Sequence, residues 1–331
     1  MSSTAGAARG ASASEPDAPV SDRNPPSRRL VWSALAIVYV GWGSTYVALR
    51  IMAKVIPPVL GASLRYLLAG LIMYGALAAH ERRLPRLTLR QLGVVTVLAL
   101  LLLVGGNGLI TLAERHVPAG TAALLVASVP LWLVLLRFLT GDRPSRRVLA
   151  GLLLGFMGVA LLVVHGVSNI GAGPILLVVL AAFLWALGSF FSSRSSLRAT
   201  ATVTAYEMLI GGVLLAATGA AFGEHWGAVV DKMTVGALLA LIYLALIGSI
   251  VAFTAYLWLL DHAPLSQVST YAYANPVVAV ALGALMLGEQ VTWVTVLGGA
   301  VTVAAVAIVV GGDAGRRPSA TAAEELPAGG P

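Results

Sequence analysis

Residues 147–166 read RVLAGLLLGFMGVALLVVHG, and residues 291–311 read VTWVTVLGGAVTVAAVAIVVG. Neither run holds an acidic residue, and the first holds a single arginine at its opening position. A helix rises about 1.5 Å per residue, so about 20 such residues cover the ~30 Å of hydrocarbon in a bilayer. Both runs are punctuated by glycine, at Gly151, Gly155 and Gly158 in one and at Gly298 and Gly299 in the other. Small residues at these intervals let two helices approach closely, and the Gly151–Gly155 pattern would equally serve a dimer.

Eight further apolar blocks precede or separate these two, at about 31–53, 58–79, 91–112, 117–139, 173–192, 201–222, 235–259 and 264–287, each bounded by Arg, Pro, Gly or acidic residues. The expected fold is therefore an all-α integral membrane protein with ten transmembrane helices. Charged residues are 11% of the chain and apolar ones 58%, against about a quarter charged in a soluble domain. Open strands would leave backbone groups unpaired in oil, and the ~10-residue alternating segments of an outer-membrane barrel are absent. The tails at 1–29 and 312–331 are rich in Ala, Ser, Pro and Gly and are expected to be disordered.

The net charge of +7 has a topological reading. With the amino terminus inside, the inner connections hold Arg23, Arg28, Arg29, Arg82, Arg83, Arg86, Arg90, Arg143, Arg146, Arg147, Arg194, Arg198, Arg316 and Arg317, and the outer ones only Lys54, Arg115 and Lys232. The positive-inside rule then places both termini in the cytoplasm, in a multi-pass protein of the plasma or inner membrane. No aromatic-interleaved basic face suggests nucleic acid. There is no cysteine, which removes disulfides, thiolate metal sites and cysteine nucleophiles, and no histidine cluster stands in for them. No phosphate-cradling loop points to ATP, and no nucleophile–base pair points to an enzyme. No cofactor or metal is expected.

The chain also echoes itself when slid by about 142 to 147 residues. Trp42-Gly43-Ser44 meets Trp185 to Ser189, the segment from Arg65 to Gly70 meets Glu207 to Gly212, and Pro118 and Pro130 meet Pro264 and Pro276 with the same spacing. Gly141-Asp142 then meets Gly288-Glu289. Repeats at 30–166 (TM1–TM5) and 173–311 (TM6–TM10) would each have five spans. An odd number inserts the second copy upside down, with a pseudo-two-fold axis in the membrane plane and a site near the midplane that opens alternately to each side.

These residues resemble a known family. Gly41-Trp42-Gly43-Ser44-Thr45-Tyr46, the Arg65 segment, Gly106-Asn107-Gly108, and Tyr271 to Ala279 with Gly288-Glu289 together are similar to the EamA family of the drug/metabolite transporter superfamily, near the YedA-type exporters. The resemblance spans about residues 30–311. It implies ten helices in two inverted five-helix EamA repeats, a central cavity, and export of small metabolites or drug-like solutes by a secondary, non-ATP mechanism. A passive channel or facilitator would share the cavity and lack two mutually exclusive gates. The partners implied are a small-molecule substrate, the lipid bilayer, and a proton or counter-solute; the oligomeric state stays open.

Candidate site residues follow from cost and chemistry. Arg65 and Glu207 are charges well inside spans, where burial in lipid is expensive, so each is expected to face protein or a wet cavity. Outward snorkelling of Arg65 and helix-tying by Glu207 compete with a substrate or coupling role. Glu207 is the acid expected to exchange a proton during transport. Trp42, Tyr46, Trp185, Tyr271 and Tyr273 join apolar faces to polar edges and suit a solute cavity, with interfacial aromatic belts as the competing reading. Asn107 and Asn275 carry amides deep in spans, to bind solute or to tie helices together. Pro130 and Pro276 remove backbone donors and are expected to kink their helices, for gating or simply for packing.

Overall fold

The computed structural model describes residues 27–82, 86–195, 197, 200–263, 265–268 and 270–314. Most of both expected tails lies outside that range. The first helix nevertheless begins at Arg28 and the last runs to Ala314, inside the stretches assigned to the tails. Ser27 explains the early start, because its Oγ accepts from the Leu30 N–H at 3.3 Å and satisfies a donor of the first turn.

The helices are α1 (Arg28–Val55), α2 (Pro58–Glu81), α3 (Leu89–Ala113), α4 (Ala119–Leu139), α5 (Arg146–Ile170), α6 (Ala172–Arg194), α7 (Ala201–Ala221), α8 (Val235–Leu260), α9 (Tyr271–Leu287) and α10 (Trp293–Ala314). Among the described residues nine are long and apolar enough to cross a membrane, and α9 is shorter, at 17 residues, with a separate helical turn at Leu265–Val268 ahead of it. Threonines start several of these helices. Thr88 forms a reciprocal cap with Gln91 on α3, Thr200 accepts from the Val203 N–H on α7, and Thr234 from that of Ala237 on α8.

Packing follows the internal echo of the sequence. α2 lies against α7, and α5 against α10, so each helix pairs with its own repeat mate. Both pairs are antiparallel. In the first, Gly70 faces Leu209, Leu67 faces Gly212, and Leu60 faces Gly219, while Ser63 Oγ donates to the Gly212 carbonyl at 2.7 Å. In the second, Gly151 faces Ile308, Gly155 faces Ala305, and Gly158 faces Thr302. The glycine face that would have served a dimer is thus taken up within the chain. The mixed contacts are mirrored too, since α1 touches α8 and α9 while α6 touches α3 and α4. Lipid tails are as apolar as leucine, so close van der Waals contact at small residues holds such helices together.

The third helix of each repeat departs from α geometry at matching places. Ala99–Gly108 in α3 and Leu244–Val251 in α8 wind with the wider π-type turn. Such stretches leave backbone carbonyls off the regular ladder and recur at functional sites. α1 and α4 are each broken once. Ser44 separates the halves of α1, its hydroxyl bonded to that of Tyr243 at 2.6 Å, and residues 127–128 separate the halves of α4.

Candidate functional site

The predicted aromatic residues divide into groups. Trp42 lies edge-on to Tyr271 with ring centroids 5.2 Å apart, and Tyr256 of α8 completes a triad at 5.1 Å from Trp42 and 5.7 Å from Tyr271. The Trp42 indole N–H donates to the Gly248 carbonyl at 3.1 Å, in the wide-turn stretch of α8. Tyr39, one turn before Trp42, bonds through its hydroxyl to that of Thr270. Trp185 is elsewhere: it packs on α3, where a Cβ at Gly106 would come within 2.7 Å of its ring. The two tryptophans are therefore repeat mates in packing as well as in sequence, each lying on a glycine of the other repeat's wide-turn stretch. Tyr46 and Tyr273 instead border the apolar cluster built on α4 and α5.

Arg65 is 5% exposed, and its partner is a residue that the sequence did not single out. Its Nε donates to Ser249 Oγ at 3.0 Å, Ser249 Oγ donates to the Leu244 carbonyl at 3.0 Å, and the guanidinium stands over the Tyr66 ring at 4.8 Å. That carbonyl belongs to the first residue of the wide-turn stretch of α8. Glu207 is half-buried, and the α2–α7 register puts it about seven residues, or ~10 Å, from the level of Arg65. Asn107 serves its own helix, donating to the Leu102 carbonyl at 3.4 Å. Asn275 differs. Its Oδ1 is buried with no hydrogen-bond partner among the described residues, and its backbone carbonyl lies against Gly43, where a Cβ would sit 3.0 Å away. Pro276 is buried inside a continuous α9, whereas Pro130 opens the second half of α4, so the two mates stand at different places in their helices.

A polar clamp closes one end of the bundle, and the sequence reading missed most of it. Gly288 ends α9 in the left-handed conformation (φ 64°), the Glu289 N–H folds back to the Gly283 carbonyl at 3.1 Å, and the acid turns inward. Its two oxygens accept from the Ala119 and Gly120 N–H groups at 2.8 and 3.2 Å, at the positive end of α4, and Arg50 Nε lies 2.9 Å from Oε1. Arg50 Nη1 also donates to the Glu114 carbonyl at 2.9 Å and to that of Val117. Gly223 (φ 80°) repeats the device, and Glu224 accepts from the Val59 and Leu60 N–H groups at the start of α2, at 3.2 and 2.8 Å. Beneath Arg50 the Glu114 side chain is 0% exposed, and neither of its oxygens has a hydrogen-bond partner among the described residues.

The opposite end holds a third copy of the same motif, left undone. Gly141 (φ 105°) precedes Asp142, whose N–H returns to the Arg137 carbonyl at 3.0 Å. Its carboxylate takes Arg137 Nε at 2.8 Å in a pair whose side chains are 36% and 51% exposed. A cavity of about 160 Å³ lies beside it, lined by Val134, Arg137, Phe138, Asp142, Arg143, Pro144 and Val148. That cavity is at the bundle end, away from the aromatic triad and from Arg65. The signal that would have found the clamp is a glycine followed by an acid just past a helix end, as at Gly141-Asp142, Gly223-Glu224 and Gly288-Glu289.

The chain resembles known proteins along most of its length. The model of the EamA-like transporter family matches it twice, at residues 30–164 and 173–311. The "uncharacterized inner membrane transporter YedA" of Escherichia coli K12 is 36% identical over 84% of this chain and 90% of its own length. A "probable amino-acid metabolite efflux pump" of Salmonella typhimurium is 28% identical over 88% of this chain and 98% of its own. A solved crystal structure aligns with a TM-score of 0.58 at 22% identity, covering 85% of this chain and 96% of that one, which bears on the fold alone.

Proposed function

This chain belongs to the EamA-like transporter family, and from that premise we propose that it is a secondary exporter of small metabolites or drug-like solutes, working by alternating access. Its ten helices would form two inverted five-helix repeats in the plasma or inner membrane, with both termini cytoplasmic. The observation that carries this reading is the asymmetry of its ends. Arg50–Glu289 is made and buried at one end, while the matching Gly-acid motif at the other is exposed and paired with its neighbour Arg137. Two mutually exclusive end closures are what a carrier needs and a channel does not. On the arginine count, the Glu289 end is the outer one, so this is the inward-facing form.

Solute recognition falls to the groups between the ends. The Trp42–Tyr256–Tyr271 rings offer stacking surface, the unpartnered Asn275 Oδ1 accepts one hydrogen bond, and Arg65 lies buried on the α2 side. Such a set suits amphipathic solutes. The "amino-acid metabolite efflux pump" named among its relatives makes amino-acid derivatives the first panel to test. The experiment is counterflow in proteoliposomes. A carrier loaded inside with unlabelled solute transiently concentrates labelled solute, and a channel does not. Equilibration without overshoot, for every solute that crosses, would replace the carrier with a facilitator.

A further inference from the structure

Among the described residues Glu114 is the most deeply enclosed acid, at 0% exposure. It lies just past the last residue of α3, in the connection that leads to α4. The groups that act on it electrostatically come from three elements, Arg50 and Tyr46 from α1, Arg65 from α2, and Glu289 from the α9–α10 connection, and Arg50 also touches its backbone carbonyl at 2.9 Å. Arg115 and His116, the next two residues, are exposed, and Arg115 Nε is spent on the Ala53 carbonyl at 3.1 Å. Arg50 is the cation that pulls on it most strongly, yet it is committed to Glu289 and to two backbone carbonyls. The clamp therefore brings two carboxylates to one guanidinium that reaches only one of them.

An ionised carboxylate with no donor, sealed from water, costs several kcal/mol, and a proton removes most of that cost. Burial pushes the Glu114 carboxyl well above the usual carboxylate range, against the opposing pull of Arg50. Opening the clamp would let water reach Glu114 and restore an ordinary acidity. The sign follows. A group that binds its proton more tightly in the closed form favours that form at low pH, and the preference is lost as pH rises through the closed-form value.

We infer that Glu114 is a proton-binding site that governs the clamp: holding a proton, it sits uncharged beneath Arg50 and the Arg50–Glu289 pair closes, and without one it competes for Arg50 and the end opens. The proton comes from the water admitted by opening and resides on a carboxyl oxygen, leaving only when the carboxylate regains water or Arg50. This rests on the alternating-access reading and names what couples to it. It also moves the coupling role from Glu207, which is half-buried and lies apart from the clamp.

The test needs no substrate. The chain has no cysteine, so spin labels at His116→Cys and Gln290→Cys, both exposed positions on the two sides of the clamp, report its opening in lipid nanodiscs. The open-to-closed ratio should rise by up to about tenfold per pH unit between the two acidities. Glu114→Gln, nearly isosteric, should hold the closed distance at every pH, while Glu114→Asp should keep a response at a shifted midpoint. A response that survives in Glu114→Gln, or one that is lost in Glu207→Gln instead, overturns the proposal. A clamp insensitive to pH in a protein that still shows counterflow overturns it as well, and leaves the carrier reading standing.

Discussion

Arg50 Nε lies 2.9 Å from Glu289 Oε1, and through that contact the end of the first helix is fastened to the connection between α9 and α10, over the start of α4. Their counterparts under the internal echo, within a residue, are Arg194 and Asp142. These are engaged elsewhere: Arg194 donates to Thr140 Oγ1 at 3.0 Å and stacks on Phe190, and Asp142 takes Arg137. If the two halves exchange shapes, Arg194 and Asp142 should meet when Arg50 and Glu289 part. Cysteines introduced as Asp142→Cys and Arg194→Cys should cross-link under mild oxidation only slowly in this form. Adding Glu289→Gln should raise the yield several-fold. An equal yield with and without Glu289→Gln would show that the two ends are not linked.

The clamp should also carry stability unevenly. Glu289→Ala strands Arg50 and two N–H groups in a buried setting, which costs roughly 3–5 kcal/mol. Asp142→Ala removes a pair whose members are more than a third exposed, and such pairs contribute about 0–1 kcal/mol. Thermal unfolding in detergent, followed by intrinsic tryptophan fluorescence, should show a large drop in Tm for the first and almost none for the second.

Arg65 gives a sharper test of partnership. The geometry couples it to Ser249, not to its repeat mate Glu207. In a double-mutant cycle, Arg65→Leu with Ser249→Ala should show a coupling of about 1–2 kcal/mol. Arg65→Leu with Glu207→Gln should combine additively, within about 0.5 kcal/mol. A strong Arg65–Glu207 coupling would mean that the two charges meet in a state other than this one.

What could be read from the residues alone follows from how the signals arise. Apolar length, arginine placement and the paired prolines are patterns along the chain, so the membrane class, the repeat and the match of Gly141-Asp142 with Gly288-Glu289 were all legible. The clamp was not, because it depends on where a left-handed glycine turns the next side chain, and on which helix start lies across the gap. Arg50 and Glu114 stand near the ends of apolar blocks, where charges ordinarily reach water, and nothing local marks them as enclosed. Arg65 stands out by its depth in a span, but its partner Ser249 comes into reach through the wide turn of α8, a backbone feature with no clear residue signature.

The α5–α10 contact is tight enough for one methyl group to matter. A Cβ at Gly158 would lie 2.6 Å from Thr302 Oγ1 and 2.9 Å from the Thr302 backbone nitrogen, so the obstacle is partly main chain and cannot swing aside. Gly158→Val should lower stability by about 1–3 kcal/mol through overpacking. Gly173→Ala, at a site with open space around it, should be close to neutral. The comparison of the two Tm values checks whether these helices hold together by close approach.

Asn275 separates a solute-binding role from a structural one by the direction of its effect. An amide that ties helices together loses stability when it is replaced. Here the buried Oδ1 has no hydrogen-bond partner among the described residues, and an unsatisfied acceptor of that kind carries a desolvation cost of about 1–3 kcal/mol. Asn275→Leu keeps the size and removes that cost, so Tm should stay level or rise, while the rate of counterflow falls at least several-fold through loss of the hydrogen bond to solute. Asn275→Asp should disturb both, since it buries a charge beside the Gly43 backbone. A lower Tm in Asn275→Leu with unchanged counterflow would assign the amide to packing and remove it from the solute path.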